Sequence, residues 1–208
     1  MKKIFEMTDR ASIHNVLDQA EYGTLAVSDG VAPYAVPVNF VRIGEVLYFH
    51  GALSNRKMKI LREHPQVSFS VVESYAVIAS FFSSTDGSAC PATHFFKSVS
   101  IDGKASLVEE RAEKAAVFTA LMEKLQPEGG YRPFEESSYD KALRATAVVR
   151  ITPDSTRARF KFGQHLDEER FAMIVKHLEQ RGSVTDLETV AWMHEMKRLL
   201  ARSLRTFG

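Results

Sequence analysis

Short stretches rich in Val, Ile, Phe and Tyr, bounded by Gly, Pro, Asp or Asn, follow one another along most of the chain, and only a few segments carry apolar residues at helical spacing. Ile13, Val16, Leu17 and Ala20 form such a stripe and predict an opening helix that Thr8 or Asp9 can cap. Strands are predicted over Gly23–Gly30, Pro33–Val41 and Val46–His50, with Arg42-Ile-Gly-Glu45 as the turn between the last two. A basic helix follows over about 54–63, stopped by His64-Pro65, because the residue before proline is pushed out of the helical region. Gln66–Phe82 is too long for one flat strand and predicts a bent strand, or two joined near Glu73-Ser74. The polar segment Ser83–Pro91 reads as a loop. A hairpin is expected next: Phe95–Ile101, a turn at Asp102-Gly103, and Lys104–Val108.

Glu109–Leu125 is the clearest helix, ending before Pro127 and Gly129-Gly130. Ala142–Thr152 reads as a long strand closed by Pro153, and Arg159–Phe162 as a short one. Two helices, Asp167–Arg181 and Asp186–Leu204, finish the chain. Six or more short strands joined by tight turns, with helices at the ends, predict a mainly β fold, an antiparallel barrel or sandwich and not a parallel doubly wound sheet. Gly-x-Gly-x-x-Gly is absent, which also argues against a dinucleotide-binding parallel sheet.

The 208 residues, 45% hydrophobic and 25% charged, suffice for one domain with a real core and a small appendage; the expected division is 1–165 for the barrel and 166–208 for a helical extension. A formal charge of +1 provides no overall pull toward nucleic acid or anionic lipid, so anion binding has to come from local clusters. Cys90 has no second thiol with which to form a disulfide or a zinc knuckle. Glu6, Asp9 and Arg10 interrupt the first residues before any apolar run develops, so the expectation is a cytoplasmic protein with no membrane partner.

The segment Tyr48-Phe-His-Gly-Ala-Leu-Ser-Asn-Arg-Lys57 holds the strongest chemical signal. A hairpin strand delivers His50 and Gly51, and a helix starts just after. Ser54 or Asn55 can cap that helix, whose first amides, dipole and adjacent cations Arg56 and Lys57 suit a phosphate, with Lys59 and Arg62 raising the local field. His94, His165, His177 and His194 lack metal-ligand spacing, and no Ser-His-Asp order or paired carboxylates suggest hydrolysis, so no metal is expected.

Taken with Phe96-Lys-Ser-Val-Ser-Ile-Asp-Gly103, that segment resembles the FMN-binding split-barrel family related to pyridoxamine 5′-phosphate oxidase, and within it the nitroimidazole-resistance branch. The likeness covers roughly residues 10 to 152 and includes the order of elements. It implies a Greek-key split barrel with peripheral helices and a C-terminal helical pair, and a homodimer with FMN at the subunit interface. It also implies that Pro37, Val38, Asn39 and Phe40 run beside the flavin ring, that His50 and Gly51 lie near the ribityl chain or ring edge, and that Arg56 and Lys57 hold the phosphate. Lys97 and Ser98 would add a further contact. Arg159-Phe-Lys-Phe-Gly-Gln-His165 resembles the Lys-x-x-Gln element of a neighbouring branch of FMN-binding regulators, which brings Lys161 and Gln164 toward the cofactor or the partner subunit. The arginine-bearing C-terminal substrate motif of the vitamin B6 oxidases has no counterpart, so pyridoxamine phosphate is not the implied substrate.

The function this implies is an FMN-dependent oxidoreductase passing electrons or hydride from a donor such as NAD(P)H to a small-molecule acceptor, for example a nitroaromatic. His50 is the one candidate for proton delivery. Two alternatives stay open: a flavin-binding sensor or transcriptional regulator without turnover, and a heme-binding split-barrel protein. Basic residues in 167–204 are diluted by acids, so nucleic acid is not an expected partner.

Overall fold

The computed structural model describes residues 3–206, with side chains as far as Arg202. The strands are β1 (Glu6–Met7), β2 (Tyr22–Ser28), β3 (Pro33–Ile43), β4 (Val46–Ala52), β5 (Gln66–Ile78), β6 (Thr93–Leu107) and β7 (Thr146–Lys161). The α-helices are α1 (Arg10–Gln19), α2 (Arg56–Glu63), α3 (Arg111–Leu125), α4 (Asp140–Ala145), α5 (Glu168–Arg181) and α6 (Val184–Thr206). The sheet runs β1-β7-β4-β3-β2-β5-β6, every specified register is antiparallel, and a further β6–β7 pairing closes strands β2 to β7 into a barrel, with β1 added beside β7. This is a split barrel with flanking helices.

The chain divides into two compact units, each assembled from separated segments: Arg10–Val71 with Val99–Arg157, and the residues up to Asp9 with Val72–Ser98 and those from Ala158 on. Strands β5, β6 and β7 each contribute residues to both. The C-terminal helices fall in the same unit as residues 158–165.

In the first unit, Leu25, Phe40, Phe49, Phe69, Ile101 and Ile151 fill the barrel, and Phe40 meets Phe69 edge-on at 5.0 Å. Helix α3 packs Val117 and Leu121 against Val41, Tyr48 and Val148. Asp102-Gly103, expected as a turn, lies within the continuous strand β6. A Cβ on Gly103 would sit 2.3 Å from the Thr152 carbonyl oxygen of β7, so this glycine serves a close crossing of two strands. Asp102 pairs with Arg157 of β7 beside it. Gly103→Ala should therefore lower stability by about 1–3 kcal/mol, read as a drop in the urea midpoint; an unchanged midpoint would refute the close approach.

Strand β7 likewise runs straight through Pro153. Its pairing with β4 ends at Ile151 opposite Leu47, and pairing with β1 begins only at Ala158 opposite Met7, so the missing proline N–H deprives neither β4 nor β1. Residues 142–145, expected as strand, form the end of helix α4. There the buried Lys114 ammonium donates to the carbonyls of Leu143 and Thr146, at 3.0 and 3.1 Å, and satisfies the helix end. Gln66–Ile78 is a single strand with no joint at Glu73-Ser74, followed by a 3-10 turn over Ser80–Phe82.

In the second unit, Phe95, Phe160, Phe162, Ile174, Leu178 and Met193 are buried, and Trp192 of α6 packs against Phe160 and Phe162. Asp167 caps α5 by accepting the Arg170 amide. Ser183 and Asp186 form a reciprocal cap at the start of α6, each side chain accepting the other's amide. Asp186 also pairs with Arg181, whose guanidinium donates to the Val77 carbonyl of β5, and Thr189 accepts the Ala76 amide. These bonds fix the helical pair to β5.

Candidate functional site at the start of helix α2

The β3–β4 hairpin forms with Phe40 opposite Phe49 and Ile43 opposite Val46, closed by Gly44 at φ 62°. Strand β4 ends at Ala52 and α2 begins at Arg56, anchored by buried Met58, Ile60 and Leu61. Asn55 takes the N-cap position with extended backbone (φ −62°, ψ 148°), but its side chain makes no capping hydrogen bond. Ser54 beside it is exposed. The helix start thus has no cap from its N-cap side chain, while Arg56 is exposed and Lys57 is half-buried.

Lys57 reaches back to the end of β4. A Cβ built on Gly51 would lie 3.3 and 3.4 Å from the Lys57 Cε and Nζ atoms, and 3.1 Å from the Met58 methyl carbon. His50 stands next to it, its ring 5.4 Å from that of Phe118. Partial desolvation, and then the charge of Lys57, hold the His50 pKa below the usual histidine value. A neutral imidazole carries one N–H donor and one acceptor nitrogen, so His50 can both give and take a proton at this position.

Arg56 has a neighbour that the sequence did not reveal. Its guanidinium lies 4.7 Å over the Tyr34 ring and 3.7 Å from a carboxylate oxygen of Asp29 in the β2–β3 turn. The other Asp29 oxygen accepts the Ala32 and Val31 amides at 2.8 and 3.0 Å. Those amides, Ala32's first, lower its pKa and keep it ionised, with Arg56 adding to the effect. Asp29 therefore partly offsets the positive charge of Arg56. The turn was legible in Ser28-Asp-Gly30; the approach of its carboxylate to a helix some 27 positions later was not.

Alternation along β3 separates the four residues expected beside a ring. Val38 and Phe40 face the core, Phe40 at 1% exposure, so their side chains are not available to a ligand. Pro37 and Asn39 face outward, opposite Thr24 and Tyr22 of β2, and the Asn39 amide donates to the Glu21 carbonyl. Tyr22, 59% exposed, gives this outer face a bare aromatic ring.

Four other expected site residues lie in the second unit, and three of them are engaged by the chain itself. Lys97 is buried, donates to the Tyr75 hydroxyl at 2.6 Å, pairs with Glu73 at 3.3 Å and rests 3.9 Å from the Trp192 ring centre. Burial lowers its pKa and Glu73 works against that shift. Gln164 is a structural staple: its carbonyl oxygen accepts the Phe162 amide, and its NH₂ donates to the Phe160 and Ile4 carbonyls. Ser98 is half-buried, and Lys161 donates to the Thr93 hydroxyl. Within the chain, Lys97 and Gln164 thus act as internal supports.

A closed antiparallel barrel whose β3–β4 hairpin leads into a cationic helix start defines the split-barrel class. The chain belongs to the pyridoxamine 5′-phosphate oxidase family, whose model matches residues 9–160. No curated protein matches the chain. Among solved structures it is similar to a proposed 5-nitroimidazole antibiotic resistance protein from Bacteroides thetaiotaomicron (21% identity, 74% of this chain and 84% of that one, TM-score 0.59). It is also similar to a flavocytochrome from Azotobacter vinelandii (24%, 81% and 75%, TM-score 0.66) and to an FAD and heme binding protein from Mycobacterium smegmatis (21%, 75% and 73%, TM-score 0.63). At these identities the likeness shows the shared fold. No helix among the described residues is long and apolar enough to cross a membrane.

Proposed function

We propose that the protein is a cytoplasmic FMN-dependent oxidoreductase. It works as a homodimer that takes reducing equivalents from NAD(P)H and delivers them to a small acceptor such as a nitroaromatic. One observation carries this reading: the start of α2, left uncapped by Asn55, brings Arg56 and Lys57 together beside His50 and Gly51. Support comes from the family and from two fold relatives, a flavocytochrome and an FAD and heme binding protein.

In this reading the Arg56 fork and the Lys57 point charge bind phosphate oxygens, and the first amides of α2 add uncharged donors. The outer face of β2 and β3, with Tyr22, Thr24, Pro37 and Asn39, is a flat wall for a planar ring, which the second protomer would cover. The isoalloxazine supplies the hydride or electron transfer when bound. His50, whose pKa burial and then the charge of Lys57 hold down, presents an imidazole nitrogen that can exchange a proton at the ring edge.

Asp29 opposes a bound anion. Asp29→Asn keeps an oxygen for the Val31 and Ala32 amides while removing the charge, so it should tighten FMN binding, by up to about fivefold for an exposed charge. Weaker binding in D29N, measured by flavin fluorescence quenching, would instead mean that Asp29 orients Arg56. Catalysis itself is tested by NAD(P)H consumption with nitroaromatic and quinone acceptors. Steady turnover supports the enzyme, whereas bound flavin without turnover contradicts the oxidoreductase reading.

A further inference from the structure

Strand β7 ends in a second cationic feature, in the other unit. Ala158 and Phe160 are buried at 2% and 0% exposure, and the alternation turns Arg159 and Lys161 together onto the opposite face. The Arg159 guanidinium lies 5.1 Å from the Phe5 ring centre, and its Nε is the one buried side-chain nitrogen or oxygen among the described residues with no hydrogen-bond partner. Lys161 donates to the Thr93 hydroxyl. No ion pair is formed by either cation among the described residues. Glu6 stands opposite Arg159 in the β1–β7 register but is exposed and does not pair with it. Burial lowers the Lys161 pKa, and the charge of Arg159 lowers it further.

Two partly desolvated like charges on one strand face repel each other, and a buried donor with no acceptor adds a cost. A chain that needed only packing here would place a carboxylate between them or replace them. Since the described residues provide no counter-ion, an external anion is the partner that fits. We infer that Arg159, Lys161 and Thr93 form a binding site for a phosphoryl group. A planar fork, a point charge and a hydroxyl whose oxygen already accepts from Lys161, leaving its proton free to donate, offer three kinds of donor to a three-oxygen anion. Free phosphate and the head of a phosphomonoester share this chemistry.

The test is thermal unfolding of the full chain carrying R56A and K57A, so that anions cannot act at α2, in inorganic phosphate or phenyl phosphate against chloride at constant ionic strength. The melting midpoint should rise saturably with phosphate. A tighter response to phenyl phosphate identifies a phosphomonoester as the ligand, and an equal or weaker one identifies free phosphate. Adding R159Q or K161Q should weaken the response at least about tenfold, the loss of one charge-assisted contact, while raising the midpoint in chloride because the repulsion is gone. Three results would each overturn the site: no saturable rise, a rise that both variants keep, or variants that melt lower in chloride, which would make the cations structural supports.

Discussion

Replacing Arg56 and Lys57 together with alanine is expected to leave a folded protein that has lost its flavin. Arg56 is exposed and Lys57 half-buried, and the packing of α2 rests on Met58, Ile60 and Leu61, so the fold should survive. Each cation contributes a charge-assisted contact of about 1.5–3 kcal/mol to a bound phosphate, so the pair should weaken FMN by roughly a hundredfold or more. Part of Arg56's share is already offset by Asp29 at 3.7 Å, so Lys57→Ala alone should cost more than Arg56→Ala alone. A double variant that purifies with full flavin occupancy would place the phosphate elsewhere.

The second large effect concerns the helical pair. Asp186 is buried against Arg181 and the Ser183 amide, and that pairing, led by the Arg181 hydrogen bonds, lowers its pKa from 3.8 to about 2. A folded-state pKa below the unfolded value means stability that is fully present above pH 3.8 and is lost as the pH falls through 3.8 toward 2. Such a shift corresponds to about 2.5 kcal/mol. Asp186→Ala should therefore cost about 2–3 kcal/mol at neutral pH, short of the cost of breaking a wholly buried pair because Arg181 remains open to water. Urea unfolding of wild type and variant should show a wide gap at neutral pH that closes toward pH 2. A gap that stays constant with pH would assign the effect to packing and capping alone.

The parts of the fold that local chemistry dictates were legible in the chain. The β3–β4 hairpin follows from two apolar strands around Gly44, α2 from a basic amphipathic stretch before His64-Pro65, and the C-terminal helices from the Gly182-Ser183 break. Asp102-Gly103 misled because the same dipeptide suits a turn and a close strand crossing, and only Thr152, far along the chain, distinguishes the two. Pro153 misled for a related reason: whether a proline ends a strand depends on which partner needs its N–H.

In the candidate site, Arg56, Lys57, His50 and Gly51 were legible as neighbours in sequence on a strand–helix junction. Asp29 was not, since it reaches Arg56 from another turn. The fates of Lys97 and Gln164 depend on Trp192 and Ile4, remote residues that no local pattern connects to them. The inward turn of Val38 and Phe40 was within reach of a parity argument, because side chains alternate along any strand.

The phosphate anchor at α2 is tested most directly by titrating FMN and riboflavin separately into the cofactor-free protein. The two ligands share the ring and the ribityl chain and differ only in the group assigned to Arg56, Lys57 and the first helical amides. FMN should bind roughly a hundredfold tighter than riboflavin, with the advantage shrinking at high salt. Equal affinities for the two would contradict the assignment.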